Sequence, residues 1–95
     1  MKVIKRDGRS VDFERSKIII AIQKANKEVQ DNEKISEEQI TSIVEYIESF
    51  NKRRMLVEDI QDIIEEKLME YQKYQLAKTY IVYRYTRALD RKQNT

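Results

Sequence analysis

Several residue types that carry common protein chemistry are missing from this chain of 95 residues. It has no cysteine and no histidine, which excludes disulfide bonds, thiol nucleophiles, imidazole bases and the usual zinc sites. It has no proline and a single glycine, which is too few for a glycine-rich phosphate loop of the Walker type. One glycine also cannot supply the turns of an all-β fold, so we expect a mostly helical chain.

Long hydrophobic runs are missing as well. No apolar stretch approaches the roughly 18 residues that are needed to cross a membrane, and on this ground we expect a cytoplasmic location and no membrane partner. Hydrophobic residues make up 40% of the chain and charged residues 38%. Nearly every apolar side chain is therefore needed for one modest core in a single domain.

The charges are spread unevenly, although the net formal charge is only +2. Residues 1–17 hold six Lys and Arg against three Asp and Glu, and residues 71–95 hold six against one. The middle of the chain, residues 18–70, holds seven against thirteen. If the two basic ends meet in the fold, they could surround an anion. The alternative is that they only complement the acidic middle.

The pair Asp7-Gly8 predicts a β-hairpin near the start of the chain. It lies between two short runs with apolar positions, 2–6 and 9–13. A two-residue turn needs positive φ angles, which glycine adopts without strain. Such a turn would pair Arg6 with Arg9, whose charges repel each other, and Ile4 with Val11. The side chains on the buried face would be Ile4, Val11 and Phe13. The opposite face would hold Val3 and Lys5.

Apolar residues at helical spacing predict four helices after the hairpin. The first helix is expected over about residues 15–30, and the last over about 72–91, before a frayed tail at 92–95. Ser36 opens the second helix, where Gln39 completes a capping box and Ile35 is placed to contact Ile40. Acidic residues suit the first turn of the third helix, at 58 and 59.

Each of the later helices has a predicted buried face. In the second helix it is Ile40, Ile43, Val44, Ile47 and Phe50. In the third it is Ile60, Ile63, Ile64 and Leu68. The last helix has two neighbouring stripes, namely Tyr74, Ala77, Ile81 and Ala88 beside Leu76, Tyr80, Tyr83 and Arg87.

A short apolar run at Met55 to Val57 predicts a third strand beside the hairpin, which would otherwise be a marginal two-stranded ribbon. The expected fold is therefore α+β and mostly α. It is a four-helix bundle capped by the N-terminal β-hairpin and the third short strand.

Basic side chains near the hairpin form a candidate anion site. The hairpin brings Lys5 and Arg6 close to the first turn of the helix that carries Lys17, where unpaired backbone N–H groups and the helix dipole favour anions. Several Lys and Arg side chains there could make charge-assisted hydrogen bonds to phosphate. Alternatively, Lys5 is a solvated strand residue and Lys17 pairs with Glu14.

The last helix interleaves tyrosines with arginines. Tyrosines at 74, 80, 83 and 85 lie near Arg84 and Arg87, a pattern that can bind nucleic acid by stacking and phosphate contact. Such tyrosines are more often core residues with polar tips.

The string VIKRDGR-x-V-x-F-x-x-x-KI, from Val3 to Ile18, closely resembles the opening of the ATP-cone domain. Two further segments resemble the same family, residues 58–62 (EDIQD) and 76–84 (LAKTYIVYR). The resemblance extends over about residues 2–91. It implies one nucleotide-binding regulatory domain at 1–91.

ATP-cones are known at the N-terminus of ribonucleotide reductases and, behind a zinc ribbon, in a transcriptional repressor of reductase genes. This chain has no cysteine before the motif, so the resemblance favours a reductase. The wording of the motif is most similar to the anaerobic ribonucleoside-triphosphate reductase. The implied domain has no catalysis of its own, no catalytic residue and no metal site, and its parent protein would be an oxidoreductase.

The resemblance also implies roles for individual residues. The base would contact Val3 and Ile4 and lie between Ile18 and Ile60, with Phe13 nearby. The phosphates would bind Lys5, Arg6, Lys17 and either Arg84 or Arg87. Glu14 would accept a hydrogen bond from the exocyclic amine, and Gln61 would reach the ribose or a phosphate.

The implied ligand is ATP or dATP, with or without Mg²⁺, bound as an allosteric effector and not hydrolysed. The implied partners are the reductase catalytic domain and other ATP-cones in an oligomer. Two alternatives are the ATP-cone of a transcriptional regulator and a small nucleic-acid-binding module. The acidic middle of the chain counts against nucleic acid.

Overall fold

The computed structural model describes the backbone of residues 1–93 and the side chains of residues 1–86. The described residues form four α-helices, three short strands and a single-turn 3₁₀ helix at Asp31–Glu33, which lies between the first and second α-helices. The strands are β1 Lys2–Ile4, β2 Ser10–Asp12 and β3 Arg54–Leu56. The helices are α1 Arg15–Asn26, α2 Glu37–Glu48, α3 Val57–Glu70 and α4 Tyr74–Gln93. The prediction of a mostly helical α+β chain is confirmed.

The hairpin forms where predicted, but its loop is one residue longer. Gly8 N–H donates to the Lys5 carbonyl over 2.9 Å and has a φ of +90°, so Arg6, Asp7 and Gly8 form a three-residue loop. The Asp7 carboxylate accepts from the Arg9 backbone N–H at 3.0 Å and from Arg9 Nε at 2.7 Å. These bonds, the backbone one first, lower the pKa of the Asp7 carboxyl. The predicted pairing of Arg6 with Arg9 is wrong, because Asp7 folds back onto Arg9 instead.

The longer loop changes which face of β1 is buried. Val3, not Ile4, pairs with Val11, and a shift of one residue reverses the two faces of a strand. Val3 is 8% exposed and belongs to the core, against which Val11 and Phe13 pack. The prediction that Val3 and Lys5 face away from the core is therefore wrong. Lys5 shares the inner face with Val3.

The predicted third strand is confirmed, since β3 pairs with β1 in parallel and the strand order is β2-β1-β3. Met55 lies beside Val3 in the register and is buried with it. No residue separates β3 from α3. The sheet therefore fixes where α3 begins, and places its first turn close to the hairpin loop.

The capping box of α2 is also confirmed. The Ser36 hydroxyl accepts from the Gln39 N–H at 3.1 Å, and the Gln39 side-chain oxygen accepts from the Ser36 N–H at 2.8 Å. Ile35 and Ile40 are both buried in the core cluster. Upstream, α1 ends at Asn26 and not near residue 30, because the Asn26 amide bonds both backbone groups of Ile35 at 3.0 Å. These two hydrogen bonds fix the turn between α1 and α2.

The core lies between the helices and the inner face of the sheet. Helix α1 packs against α2 and α4, and α3 packs against the same two helices. The buried residues that the four helices contribute to the core are Ile22, Ala25, Ile40, Ile43, Val44, Ile47, Ile60, Ile64, Leu68, Leu76, Ala77 and Tyr80.

Some predicted core residues lie outside it. Phe50 follows the end of α2, is 39% exposed, and contacts the Tyr46 ring edge-on at 5.1 Å between centroids. Tyr74 and Ile81 are exposed, because the buried face of α4 is centred on the stripe through Leu76 and Tyr80. Ile63 is only partly buried.

The remaining predictions from the sequence concern the end of α4 and the residues after it. The side chains of Arg87 and Ala88 lie outside the described residues, and the frayed tail at 92–95 stays a prediction. No helix within the described part of the chain combines the length and the apolar character that would cross a membrane.

Candidate functional site

A cleft of about 390 Å³ opens between the hairpin, α1, α3 and α4. The hairpin contributes two basic side chains, and the helices contribute the rest. The lining residues are Lys5, Arg6, Lys17, Ile18, Ile20, Ala21, Lys24, Val57, Ile60, Gln61, Ile64, Tyr80, Tyr83 and Arg84. Elements from the beginning, the middle and the end of the sequence thus form one concave surface.

Each helix turns one face toward the cleft. Residues three, four and seven apart lie on the same side of a helix, which is the spacing of the lining residues. Helix α1 contributes positions 17, 18, 21 and 24, with 20 at the rim; α3 contributes 57, 60, 61 and 64; and α4 contributes 80, 83 and 84. In contrast, the hairpin reaches the cleft through its loop and through the inward-facing Lys5.

The cleft is strongly cationic. Five Lys and Arg side chains line it, and no Asp or Glu of the described residues does so. The first turns of α1 and α3 also reach it, and their N-cap residues, Glu14 and Leu56, make no side-chain capping bond. The positive ends of these two helix dipoles add to the field of the side chains. This is an arrangement that attracts an anion.

Arg84 is the most firmly held of these cations. Its Nη1 donates to Glu65 Oε2 over 2.6 Å and to Asp62 Oδ1 over 3.3 Å. The Arg84 side chain is 19% exposed and that of Glu65 is 12% exposed. Burial raises the pKa of the Glu65 carboxyl, and although the Arg84 charge opposes this shift, the neighbouring Asp62 adds to it.

Three of the other cations, Arg6, Lys17 and Lys24, are held more loosely. Arg6 Nε lies 3.2 Å from Glu58 Oε1, and its Nη2 donates to Gln61 Oε1 over 3.4 Å. Lys17 lies 3.6 Å from the Glu14 carboxylate, which is the pair offered as an alternative from the sequence. Lys24 lies over the ring of Tyr83, at 5.9 Å from the centroid. These contacts are long and exposed, so a competing anion can replace them at small cost.

The floor of the cleft is apolar. Ile60, Ile64 and Tyr80 are buried there, and Ile18 and Ala21 cover the opposite wall from α1. Burial also raises the pKa of Tyr80, so its hydroxyl keeps its proton at physiological pH. The cleft thus combines apolar walls, which suit the faces of a flat ring, with cations, which suit a negatively charged group.

Most of the residues singled out from the sequence meet in this cleft. It is lined by Lys5, Arg6, Lys17, Ile18, Ile60, Gln61 and Arg84. Four others lie elsewhere: Val3 in the core, Ile4 half-buried in β1, Phe13 against the core, and Glu14 at the N-cap of α1. The Arg87 side chain is outside the described residues.

Seven lining residues were missed: Ile20, Ala21, Lys24, Val57, Ile64, Tyr80 and Tyr83. Helical spacing could have found most of them. Steps of three, four and seven from Lys17 lead to Ile20, Ala21 and Lys24, and a step of four from Ile60 leads to Ile64. The missing information was which faces meet, since this depends on the packing of the helices.

A family model described as the ATP cone domain matches residues 1–89. The chain is 37% identical over 97 residues to the vitamin B12-dependent ribonucleoside-diphosphate reductase of Thermoplasma acidophilum, which covers 97% of this chain and 12% of that protein. It is 36% identical over 94 residues to the anaerobic ribonucleoside-triphosphate reductase of Haemophilus influenzae, covering 98% of this chain and 13% of that protein.

A third relative is the ribonucleoside-diphosphate reductase subunit alpha of Chlamydia trachomatis, at 34% identity over 99 residues, with 93% of this chain and 10% of that protein covered. The chain thus spans about an eighth of the length of the curated relatives it matches. The family match, in contrast, extends over nearly the whole chain and includes every element of the cleft. The chain belongs to the ATP-cone family of nucleotide-binding domains.

Proposed function

We propose that this chain is the regulatory domain of a ribonucleotide reductase, and that ATP or dATP binds in the cleft without being hydrolysed. The observation that carries this proposal is the joining of five cations from the hairpin, α1 and α4 over an apolar floor. A triphosphate needs several positive charges, and a base needs apolar walls. The volume of about 390 Å³ lies within the range of small-molecule sites.

The phosphates would lie toward the hairpin and Arg84. Lys5, Arg6 and Lys17 come from the hairpin and the start of α1, where helix dipole and side chains act together. The base would lie on the apolar floor between Ile18 and Ile60. Lys24 and Tyr83, which were not among the nucleotide-binding residues predicted from the sequence, would border the ligand on the α4 side.

Two features support binding without hydrolysis. The chain has no histidine or cysteine, and the described carboxylates that pair with cleft residues, Glu14, Glu58, Asp62 and Glu65, each lie beside a lysine or an arginine. None of these is placed as a general base for water. No group of three or more acidic side chains among the described residues is arranged to hold a metal ion. If Mg²⁺ accompanies the nucleotide, phosphate oxygens and water would be its main ligands, as is usual for this ion.

The parent protein would be a reductase whose overall activity the bound nucleotide controls. The relatives act on ribonucleoside diphosphates or triphosphates, as their names say. Because the opening motif is most similar to that of the anaerobic ribonucleoside-triphosphate reductase, we propose this enzyme as the parent protein. The partners would be its catalytic domain and further ATP-cones in an oligomer.

ATP and dATP differ by one hydroxyl, so they would act by favouring different assemblies. ATP would favour the active reductase and dATP an inhibited one. A ligand shifts such an equilibrium only by its difference in affinity for the two states, and a coupling of about 1–3 kcal/mol is typical.

One calorimetric titration of the chain tests the binding site. We expect ATP and dATP to bind, GTP to bind more weakly, and a short oligonucleotide not to bind. The variant Lys5→Ala with Arg6→Ala should remain folded and lose ATP binding. The matched control is Lys2→Ala with Lys34→Ala, which also removes two positive charges, at side chains that pair with Asp12 and Asp31 outside the cleft.

Two results would contradict the proposal. One is undiminished ATP affinity in the folded Lys5 and Arg6 double variant. The other is oligonucleotide binding with a steep salt dependence and no binding of free ATP, which would indicate a nucleic-acid-binding module.

A further inference from the structure

Arg84 is held from one side only. Its contacts to Glu65 and Asp62 are both made by Nη1. Among the side chains at 1–86, no group accepts a hydrogen bond from Nε or Nη2 of Arg84. Two of its three nitrogens thus remain available on one edge of the guanidinium.

The side chain that carries this open edge lines the cleft. No buried side-chain nitrogen or oxygen among the described residues lacks a hydrogen-bond partner, so Nε and Nη2 of Arg84 must be accessible. Because the Arg84 side chain is only 19% exposed and lines the cleft, an edge open to the cleft is the premise of the proposal below. The N–H bonds of Nε and Nη2 are parallel, and this is the geometry that binds two oxygens of one phosphate group.

We propose that Asp62 and Glu65 are positioning residues, which hold Arg84 by Nη1 so that its Nε–Nη2 edge binds one phosphate group of the nucleotide. The proposal rests on the proposed function, because it concerns the same cleft. It adds two acidic residues of α3 that do not line the cleft themselves. Their role is to fix the orientation of a side chain that comes from α4.

Simple electrostatics predicts the opposite effect for Glu65. A carboxylate close to a polyanion repels it, so neutralising Glu65 should tighten ATP binding if charge alone decides. If Glu65 positions Arg84, neutralising it should weaken ATP binding, because the short 2.6 Å charged contact becomes a weaker neutral one and holds the guanidinium less firmly. The sign of the change therefore separates the two explanations.

The experiment compares the unaltered chain with Glu65→Gln, Asp62→Asn and Arg84→Ala. Calorimetry measures ATP, and NMR chemical-shift titration measures adenosine, which has no phosphate. We expect Glu65→Gln to weaken ATP binding by about tenfold, the loss of roughly one charged hydrogen bond, and to leave adenosine binding unchanged. Asp62→Asn should weaken ATP by about threefold, since its contact is longer and more exposed.

Glu66→Gln is the matched control. Glu66 is the next residue of α3 and is exposed, so the variant makes the same change of charge away from Arg84. ATP affinity should stay the same or rise slightly. This control separates the position of the charge from its sign.

The proposal is overturned if folded Glu65→Gln binds ATP as tightly as the unaltered chain or more tightly. It is also overturned if ATP and adenosine weaken equally, because the residue then only supports the fold. If Glu65→Gln does not fold, the more exposed Asp62→Asn decides by the same measurements. If Arg84→Ala weakens ATP binding but Glu65→Gln leaves ATP affinity unchanged, this inference fails and the proposed function stands. If the unaltered chain binds no ATP, the proposed function fails and this inference with it.

Discussion

The two sides of the cleft present arginine in different ways. On the hairpin side, formed by Lys5 and Arg6, Arg6 is 39% exposed and meets α3 through contacts of 3.2 and 3.4 Å. On the helix side, formed by Arg84 with Asp62 and Glu65, Arg84 is 19% exposed and makes a 2.6 Å contact. The same residue type is loose on one side and held in place on the other.

The edges that these arginines use also differ. Arg6 has its Nε and Nη2 turned to Glu58 and Gln61, whereas Arg84 is held by Nη1. An anion must therefore displace the α3 contacts of Arg6 before it can bind that edge, but it finds the same edge of Arg84 open. In the proposed site, the helix side would be preorganised for an anion and the hairpin side would adjust to it.

The strongest test of this contrast is the removal of the preorganised arginine. Arg84→Ala should weaken ATP binding by about a hundredfold, because two charge-assisted hydrogen bonds are lost. Arg84→Lys should recover little of the loss, because an ammonium group has no planar edge. Calorimetry with ATP measures both. Full recovery by lysine would contradict the bidentate contact.

The corresponding changes on the hairpin side should have smaller effects. Arg6→Ala should weaken ATP binding by about tenfold, and Arg6→Lys should bind almost as well as the unaltered chain, because a loosely held charge does not need a fixed geometry. The same titration applies. If Arg6 tolerates lysine less well than Arg84 does, the assignment of the two sides is reversed.

The hairpin loop can be loosened without removing a charge. Gly8 has a φ of +90°, and a Cβ added there would meet no atom within 4 Å, so Gly8→Ala adds backbone strain alone. We expect a loss of about 1 kcal/mol of folding free energy, measured by urea unfolding, and a several-fold weaker affinity for ATP. Ser10→Ala, which also lies in the hairpin but has no positive φ, is the control. An unchanged ATP affinity would mean that the loop does not place Lys5 and Arg6.

The smallest expected effect concerns the stability of the helix side. Because burial raises the pKa of the Glu65 carboxyl in the folded domain, folding favours its protonated form. The stability contributed by this group is present below the ordinary pKa of glutamate and is lost as the pH rises through the raised value. Glu65→Gln should therefore raise the melting temperature slightly at pH 7 and lose that advantage near pH 4. A lower melting temperature at pH 7 would show that the Arg84 pair outweighs the burial.

The contrast between the two sides also explains what the sequence could predict. Ser36 and Gln39 form the expected capping box because its bonds join residues three apart. The hairpin was predicted from Asp7-Gly8, but its register depends on the bonds from Arg9 to the Asp7 carboxylate and on the pairing of Val3 with Val11 and Met55. Neither is visible in the apolar pattern.

The cleft was predicted only in part for a similar reason. Lys5, Arg6 and Lys17 are close in sequence and could be grouped, and a motif resemblance added Ile60, Gln61 and Arg84. Lys24 and Tyr83 belong to the site because α1 and α4 pack side by side. Sequence spacing gives the faces of each helix, but only tertiary packing decides which faces meet.

The direct connection from β3 to α3 has a mechanical consequence. With no linker between Leu56 and Val57, a displacement of β3 reaches the first turn of α3 directly. Glu58, Asp62 and Glu65 all lie on α3, so a rotation of this helix as a unit would move the carboxylates that contact Arg6 and Arg84 at the same time.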